Sequence, residues 1–290
     1  MQDTTNTSGA YAIYRGLSQA ELDARYDQRT AVPNADDYAA RWHKLSVSLQ
    51  TAHPCQTHAY GPSFAERLDL YPGQGDGVHL HVHGGAWKAL SKDKAAFAVA
   101  GLGSVAGQVA IAGFGLAPQT RLPAMVEQIR RAFLWLRAYA GAPVAVSGHS
   151  SGAHLAACLI DRRWWAAEGL GPQDFSAVLL ASGPYDLEPV RLSARNGYLG
   201  LSSDEAERLS PILHLPDRLP AMAVLWGEGE LAEFRRQSES MAEAVRARRP
   251  DARTAMLAGR NHFDVYDDFG DPGSRVIEHL RAVATAATTD

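Results

Sequence analysis

Short apolar segments alternate with longer amphipathic segments along most of the chain. Seven apolar segments are predicted as buried strands, at 67–71, 78–83, 109–114, 144–148, 177–182, 223–227 and 254–259. Between two of them, apolar residues from Val126 to Tyr139 follow helical spacing, and Gly141 is a helix stop signal. This alternation predicts one α/β domain, built on a mostly parallel, doubly wound sheet with helices on both faces.

Two helices are predicted ahead of the sheet. The segment 18–29 begins with Ser18, a helix-capping residue, and the amphipathic segment 35–50 follows Pro33. We predict a disordered tip at residues 1–13, a single domain at 14–290, and a helical extension at 14–55 that is a candidate lid. Because the polar start lacks a signal sequence and only two cysteines are present, we expect a cytoplasmic protein without disulfides.

Composition narrows the class of ligand. A formal net charge of -4 over 290 residues provides no basic surface for nucleic acid or an anionic membrane, so we expect a small-molecule ligand. The uncharged segment 95–118 has the length of a membrane span, but Ala and Gly dominate it, and Gln108 interrupts it. A buried helix followed by a buried strand is predicted there instead. A homodimer is left open by the sequence.

The segment GHSSG, residues 148–152, joins a predicted strand to an Ala-rich predicted helix. A nucleophile elbow needs Gly two residues before and two residues after its Ser, because the sharp turn leaves no room for a Cβ there. Gly148 and Gly152 bracket Ser150 in this way, so Ser150 is the candidate nucleophile. The backbone N–H of Ser151 is a candidate oxyanion donor, with an incidental hydroxyl, and His149 is expected to line the substrate pocket.

A second segment, VHLHVHGGAW at 78–87, predicts the other half of an oxyanion hole. Glycines after a strand let backbone N–H groups approach a substrate oxygen, as in esterases and lipases. Gly84 and Gly85 are therefore candidate oxyanion donors. Trp87, which follows closely, is predicted either as a flat wall for an aryl ring or as a simple packing residue.

Two interpretations from other functional classes are alternatives to a serine hydrolase. His79, His81 and His83 share one face of a strand and are the residue type that binds zinc, which suggests a metal-dependent hydrolase. That reading leaves the two glycines after His83 unexplained, and we expect His83 to fasten its loop by hydrogen bonds instead. The third reading is a hydrolase-like binding protein without turnover, whose signature would be an incomplete triad.

A nucleophilic serine needs a base and an acid, which follow it in the order acid, then His, in hydrolases with this elbow. His262 follows the last predicted strand, in a loop with the turn formers Gly259 and Asn261, and is the candidate base. Glu228 and Glu230 follow the preceding strand and are both candidate acids. Asp186 after the strand before that is a third candidate, although it is equally suited to capping a helix.

Six segments together resemble the kynurenine formamidase (arylformamidase) family of the α/β-hydrolase fold. They are HGGAW at 83–87, GHSSGAHLAA at 148–157, SGPYDLEPV at 182–190, LSP at 209–211, EFRRQS at 233–238 and NHFDV at 261–265. The resemblance runs from about residue 14 to residue 266. It implies Ser150 as nucleophile and His262 as base, with oxyanion donors from Gly84, Gly85 and Ser151. The family's acid, usually Asp, lies just ahead of EFRRQS, which selects Glu230.

The resemblance also implies an activity. A protein of this family is expected to cleave an N-formyl arylamine such as N-formylkynurenine into the amine and formate through an acyl-enzyme, with no metal or other cofactor. The fold and triad also serve carboxylesterases, aryl esterases and hydrolases of other small amides and carbamates. An esterase of this kind is therefore the alternative within the same fold.

Overall fold

The computed structural model describes residues 12–286, so most of the predicted tip at 1–13 lies outside the described residues. Within this range, eight strands form one sheet in the spatial order β1-β2-β4-β3-β5-β6-β7-β8. The six strands β3 to β8 pair in parallel, whereas β1 and β2 pair antiparallel at one edge. The strands are β1 (Gln56–Ala59), β2 (Arg67–Pro72), β3 (Val78–Val82), β4 (Gln108–Ala112), β5 (Val144–His149), β6 (Phe175–Ala181), β7 (Met222–Gly227) and β8 (Arg253–Leu257).

Helices precede the sheet and connect its parallel strands. Three lie ahead of it: α1 (Gln19–Ala24), α2 (Gln28–Ala31) and α3 (Ala35–Ala52). The others are α4 (Lys92–Ala95), α5 (Val99–Leu102), α6 (Leu122–Ala140), α7 (Ser151–Ala157), α8 (Arg162–Glu168), α9 (Glu188–Leu192), α10 (Asn196–Leu199), α11 (Ser203–Arg208), α12 (Ala232–Arg246), α13 (His262–Asp267) and α14 (Arg275–Ala286). Short 3₁₀ turns lie at Ala96–Ala98, Pro172–Asp174, Pro211–Leu213 and Asp268–Gly270.

Both faces of the central sheet are buried, which explains why its strands are continuous apolar runs. In β6, Val178 and Leu180 face one apolar cluster, while the alternate residues Leu179 and Ala181 face the other. Helix α6 packs in the first cluster, and α14 packs in the second. Burial of each large aliphatic side chain contributes about 1.5–3 kcal/mol, so this two-sided core holds the carboxyl ends of the strands in fixed positions.

The predicted fold class is confirmed, and the predicted strands match β2 to β8 to within two residues at each end. Strand β1 was missed because its sequence QTHA has no apolar alternation and lies exposed at the sheet edge. The single helix predicted at 18–29 was wrong. Helix α1 ends at Ala24, and α2 starts after Asp27, whose side chain accepts a hydrogen bond from the N–H of Arg29. In that segment the capping preference of Asp prevails over continued helix.

The uncharged segment 95–118 contains short helical turns followed by β4, as predicted. None of the helices within residues 12–286 combines the length and the apolarity that crossing a membrane would require.

Candidate active site

Ser150 lies in a tight turn between β5 and α7. Its backbone has φ 55° and ψ −125°, a conformation that L-residues rarely adopt. A Cβ on Gly148 would lie 2.3 Å from the carbonyl oxygen of Gly152, and one on Gly152 would lie 2.1 Å from that of Val82. Only glycine fits both places, so the turn has the geometry that the GHSSG spacing predicts. The N–H of Ser150 donates to the carbonyl of Ala181 at 2.9 Å, which ties the turn to β6.

His262 is the first residue of α13 and faces Ser150. The side chain of Asn261 caps the helix by accepting hydrogen bonds from the N–H groups of Phe263 and Asp264. This cap sets where the helix begins and therefore where the imidazole lies. Nε2 of His262 is 3.0 Å from Oγ of Ser150, a hydrogen-bonding distance that suits a general base.

Glu230 completes a hydrogen-bonded chain with Ser150 and His262. Its Oε2 lies 3.2 Å from Nδ1 of His262, and its Oε1 accepts from the backbone N–H of Gly227 at 2.8 Å and from the hydroxyl of Ser182. The carboxylate is buried. With these donors on Oε1, Oε2 is left free for the imidazole, an arrangement that selects the His262 tautomer with its proton on Nδ1.

The two other candidate acids do not contact His262. Glu228 is exposed and accepts from the N–H of Gly259, while Asp186 accepts from the N–H of Glu188 at the start of α9. Ser182, which holds Glu230, was missed by the sequence analysis. The available signal was its position directly after β6, in the segment SGPYDLEPV.

Gly84 lies against Ser150, and Gly85 follows it in the same loop. A Cβ on Gly84 would lie 3.3 Å from Cβ of Ser150 and 2.9 Å from the carbonyl oxygen of His149. Gly85 has φ +103°, and a Cβ there would lie 2.1 Å from the carbonyl oxygen of Ala89. The missing side chain at Gly84 therefore lets the loop approach Ser150, and the missing side chain at Gly85 lets the loop fold back on Ala89.

Trp87 does not form a wall of the cavity, which corrects the aryl-wall prediction. Its side chain is fully buried, and its indole N–H donates to Nδ1 of His154 at 3.3 Å. Its backbone N–H donates to Oγ of Ser151 at 3.1 Å. The alternative prediction of a packing residue describes Trp87 correctly. The hydroxyl of Ser151 is not incidental, because it anchors the loop in which Ala86 and Trp87 both have positive φ.

His149 lines the cavity beside Ser150. Its Nε2–H donates to the backbone carbonyl of His262 at 2.9 Å, and its ring stacks on Tyr266 with centroids 4.7 Å apart. Burial holds the pKa of His149 well below its usual range, with a further lowering from nearby His262. A neutral His149 therefore supports the position of His262 without adding charge.

The histidines at 79, 81 and 83, in and just after β3, are all hydrogen-bonded within the fold, and His79 and His81 share one partner. Nε2 of His79 and Nδ1 of His81 lie 2.7 and 2.9 Å from the hydroxyl oxygen of Ser147, and Nδ1–H of His83 donates to the carbonyl of Gly84 at 2.8 Å. Burial lowers the pKa of His79 to about 3 and that of His83 to about 4. In the part of the chain that the structure describes, no three His, Cys, Asp or Glu side chains are grouped to hold a metal ion.

A cavity of about 580 Å³ opens onto Ser150 and His262. Loop 85–90 and α13 form two of its walls, and the segment 193–198, which follows α9 and runs into α10, contributes a third. The fourth wall comes from the N-terminal helices, which contribute Tyr26, Gln28 and Trp42. The predicted extension at 14–55 thus covers the candidate catalytic residues. Aromatic side chains, including Phe263, Tyr266 and Tyr198, line much of the space.

The fold and the Ser-His-Glu arrangement define an α/β hydrolase, and the chain belongs to that family. A family model described as alpha/beta hydrolase fold matches residues 79–264. The fold also matches a solved structure from Silicibacter sp. TM1040, described as a candidate thioesterase, with a TM-score of 0.81 and 25% identity over 90% of this chain and 98% of that one. An esterase from Pyrobaculum calidifontis matches with a TM-score of 0.62 and 20% identity, over 92% and 93% of the two chains, which shows the fold alone.

Proteins named kynurenine formamidase are similar to the chain over most of its length. The Danio rerio protein is 27% identical over 277 residues, which cover 89% of this chain and 94% of that protein. The Salmo salar protein is 30% identical over 197 residues, which cover 64% and 66% of the two chains. The chain is therefore a kynurenine formamidase-like α/β hydrolase, and the prediction of a hydrolytic enzyme is confirmed.

Proposed function

We propose that the protein hydrolyses an N-formyl arylamine, such as N-formylkynurenine, to the amine and formate. The observation that carries the proposal is the hydrogen-bonded chain from Ser150 through His262 to Glu230, which opens into a cavity lined by aromatic side chains. The similarity to kynurenine formamidases supports the choice of substrate. A cavity of about 580 Å³ is of the size that holds a small aromatic ligand.

The proposed reaction passes through a formyl-enzyme. His262 takes the proton of Ser150, whose Oγ attacks the formyl carbon. Backbone N–H groups of Gly84, Gly85 and Ser151 stabilise the tetrahedral oxyanion. His262 then gives its proton to the nitrogen of the leaving arylamine as the C–N bond breaks. Water, deprotonated by His262, attacks the formyl ester, and the bond between the formyl carbon and Oγ breaks as His262 returns the proton to Ser150. The formic acid released ionises to formate.

The carboxylate of Glu230 stabilises the imidazolium that forms at His262 in both steps. The N-terminal helices α1 to α3 act as a lid in this proposal, because they form one wall of the cavity over Ser150. Exclusion of water by such a cover strengthens the electrostatic interactions within the site.

The test is the ratio of kcat/KM for N-formylkynurenine to kcat/KM for p-nitrophenyl acetate, with Ser150→Ala as the blank. A large ratio that is lost in the blank supports an arylformamidase. A small ratio with rapid ester cleavage would still support the catalytic triad but would identify an aryl esterase instead.

A fluorophosphonate probe separates the other classes of mechanism. Covalent labelling that requires Ser150, together with activity that survives a chelator, supports the serine mechanism. Absence of labelling in a folded protein would contradict the serine mechanism. Activity that a chelator abolishes would then indicate a metal-dependent hydrolase, and absence of any turnover would indicate a binding protein.

A further inference from the structure

Helix α3, in the N-terminal extension, contacts the helix that carries His262. The hydroxyl of Tyr38 donates a hydrogen bond to Oδ1 of Asp264 at 2.6 Å and accepts one from Nδ2 of Asn261 at 3.0 Å. Asn261 comes directly before His262 in the chain, and Asp264 follows it by one further residue. A side chain from a distant segment is therefore bonded to both of these residues, on either side of the candidate base in the chain.

These two bonds complete the hydrogen bonding of the cap of α13. Oδ1 of Asn261 accepts from the N–H groups of Phe263 and Asp264, and Oδ2 of Asp264 accepts from the N–H of Asn261 at 2.9 Å. This reciprocal pair is a capping box, which leaves Nδ2 of Asn261 and Oδ1 of Asp264 for other partners. The hydroxyl of Tyr38 engages both atoms and so holds the amide of Asn261 in the orientation that the cap requires. Burial and the bond to Asp264 raise the pKa of Tyr38, so the hydroxyl keeps the proton that it donates.

Trp42, one turn further along α3, contacts the second turn of α13. Its indole N–H donates to Oδ1 of Asp267 at 2.5 Å, and its ring lies edge-on to that of Tyr266 with centroids 4.9 Å apart. Tyr38 and Trp42 are both buried, and both rings also pack near Phe263. Helix α3 therefore contacts both turns of α13 and limits its movement.

The rate of a base-catalysed attack depends on where the base lies. Nε2 of His262 is 3.0 Å from Oγ of Ser150, and a misplacement of about 1 Å in a catalytic group can cost about 100-fold in rate. Within residues 12–286, Tyr38 does not contribute to the lining of the cavity above Ser150. It can therefore influence the base without contacting the substrate.

From this arrangement we infer that Tyr38 is a positioning residue for His262. Its hydroxyl fixes the start of α13 through Asn261 and Asp264, and thereby holds the imidazole against Ser150. The N-terminal extension then takes part in catalysis as well as covering the cavity. The inference rests on His262 as the base of the proposed function, and it is independent of which acyl group the protein cleaves.

The test compares Tyr38→Phe with the wild-type protein on N-formylkynurenine and on p-nitrophenyl acetate. Loss of the hydroxyl removes one partner from Asn261 and one from Asp264, so the start of α13 is held less precisely. We expect kcat to fall by about 10- to 100-fold on both substrates, while KM changes by less than about twofold because His262 acts in both halves of the reaction. Fluorophosphonate labelling of Ser150, which needs the base but no substrate, should slow by a similar factor.

Tyr60→Phe is the matched control. Tyr60 is as buried as Tyr38, and its hydroxyl donates to the carbonyl of Gly113, away from α13. Both variants should lower the thermal midpoint by about 2–6 °C, but Tyr60→Phe should keep kcat within about twofold of wild type. An equal fall in kcat in the two variants would overturn the inference by making the effect one of stability. Unchanged kcat and labelling in Tyr38→Phe, or a change in KM alone, would overturn it too.

A double-mutant cycle with Asp264→Ala tests the route from Tyr38 to the base. If the hydroxyl acts through the cap of α13, Tyr38→Phe should lower kcat by less than about threefold in the Asp264→Ala protein, because the carboxylate that it bonds is already absent. A full 10- to 100-fold loss in that background, as in the wild-type protein, would overturn the inference.

Failure of the proposed function has a different signature. If the protein cleaves p-nitrophenyl acetate but not N-formylkynurenine, the formamidase proposal fails, and the test of Tyr38 stands on the ester. If His262→Ala retains wild-type kcat and labelling, the proposed mechanism fails and takes the inference with it. Loss of activity in His262→Ala without a loss in Tyr38→Phe overturns the inference alone.

Discussion

Glu230→Gln removes the charge of the proposed acid and leaves its size unchanged. The N–H of Gly227 and the hydroxyl of Ser182 both donate to Oε1, so the new amide must place its oxygen there. Its NH₂ group then faces Nδ1 of His262, which has to accept rather than donate. That requirement selects the tautomer protonated on Nε2, which cannot take the proton of Ser150.

The expected loss in kcat is about ten-thousandfold, which is the effect of the corresponding change in another serine hydrolase triad and equals about 5.4 kcal/mol of transition-state stabilisation. The assay is steady-state formate release, with the rate of fluorophosphonate labelling as a second measure of Ser150 reactivity. The thermal midpoint should change little, since the buried amide keeps two of its hydrogen bonds.

Glu228→Gln is the matched control, because Glu228 is exposed and its carboxylate accepts from the N–H of Gly259 rather than from His262. It should retain nearly full activity. If Glu230→Gln is active and Glu228→Gln is not, the reasoning from geometry is refuted, and the acid has to be reassigned.

Further changes test the rest of the site and the core. Ser150→Ala should abolish turnover and probe labelling while far-UV circular dichroism stays native, and residual labelling would mean that another residue is the nucleophile. Ser151→Ala leaves the buried N–H of Trp87 without an acceptor, so we expect a loss of about 1–3 kcal/mol in the free energy of unfolding by urea titration, with kcat/KM within about tenfold of wild type. Burial keeps His79 and His83 neutral in the folded state, whereas in the unfolded state they have the ordinary histidine pKa of 6.5. Below pH 6.5 the unfolded state therefore binds more protons than the folded state. The free energy of unfolding should therefore fall as pH decreases from about 6.5 to about 4, by up to about 1.4 kcal/mol per pH unit for each histidine, and a flat urea midpoint over this range would contradict it.

Tertiary contacts determine the roles of several residues near the site that the sequence alone did not predict. Trp87 is a residue type that could bind an aryl ring, yet its indole lies in the core, where its N–H donates to His154. The backbone N–H of Trp87 donates to Ser151. Arg195 and Gln28 have no motif around them, and they line one cavity only because the tertiary fold brings α2 and the segment 193–198 to it. Neither case leaves a local signal, since each depends on which distant segment comes close.

What the sequence by itself determined is local and periodic. Apolar runs of strand length that alternate with helical patterns were sufficient to predict the parallel sheet. The two glycines around Ser150 were sufficient to predict the nucleophile elbow, because that turn follows from steric rules over a few residues. The order of Ser150, the acidic segment and His262 along the chain also predicted a catalytic triad. The tertiary structure decided between Glu228 and Glu230, because only burial and the donors from Gly227 and Ser182 distinguish two carboxylates two residues apart. It also decided what the cavity presents to a ligand, since that surface is assembled from segments more than 150 residues apart in the sequence.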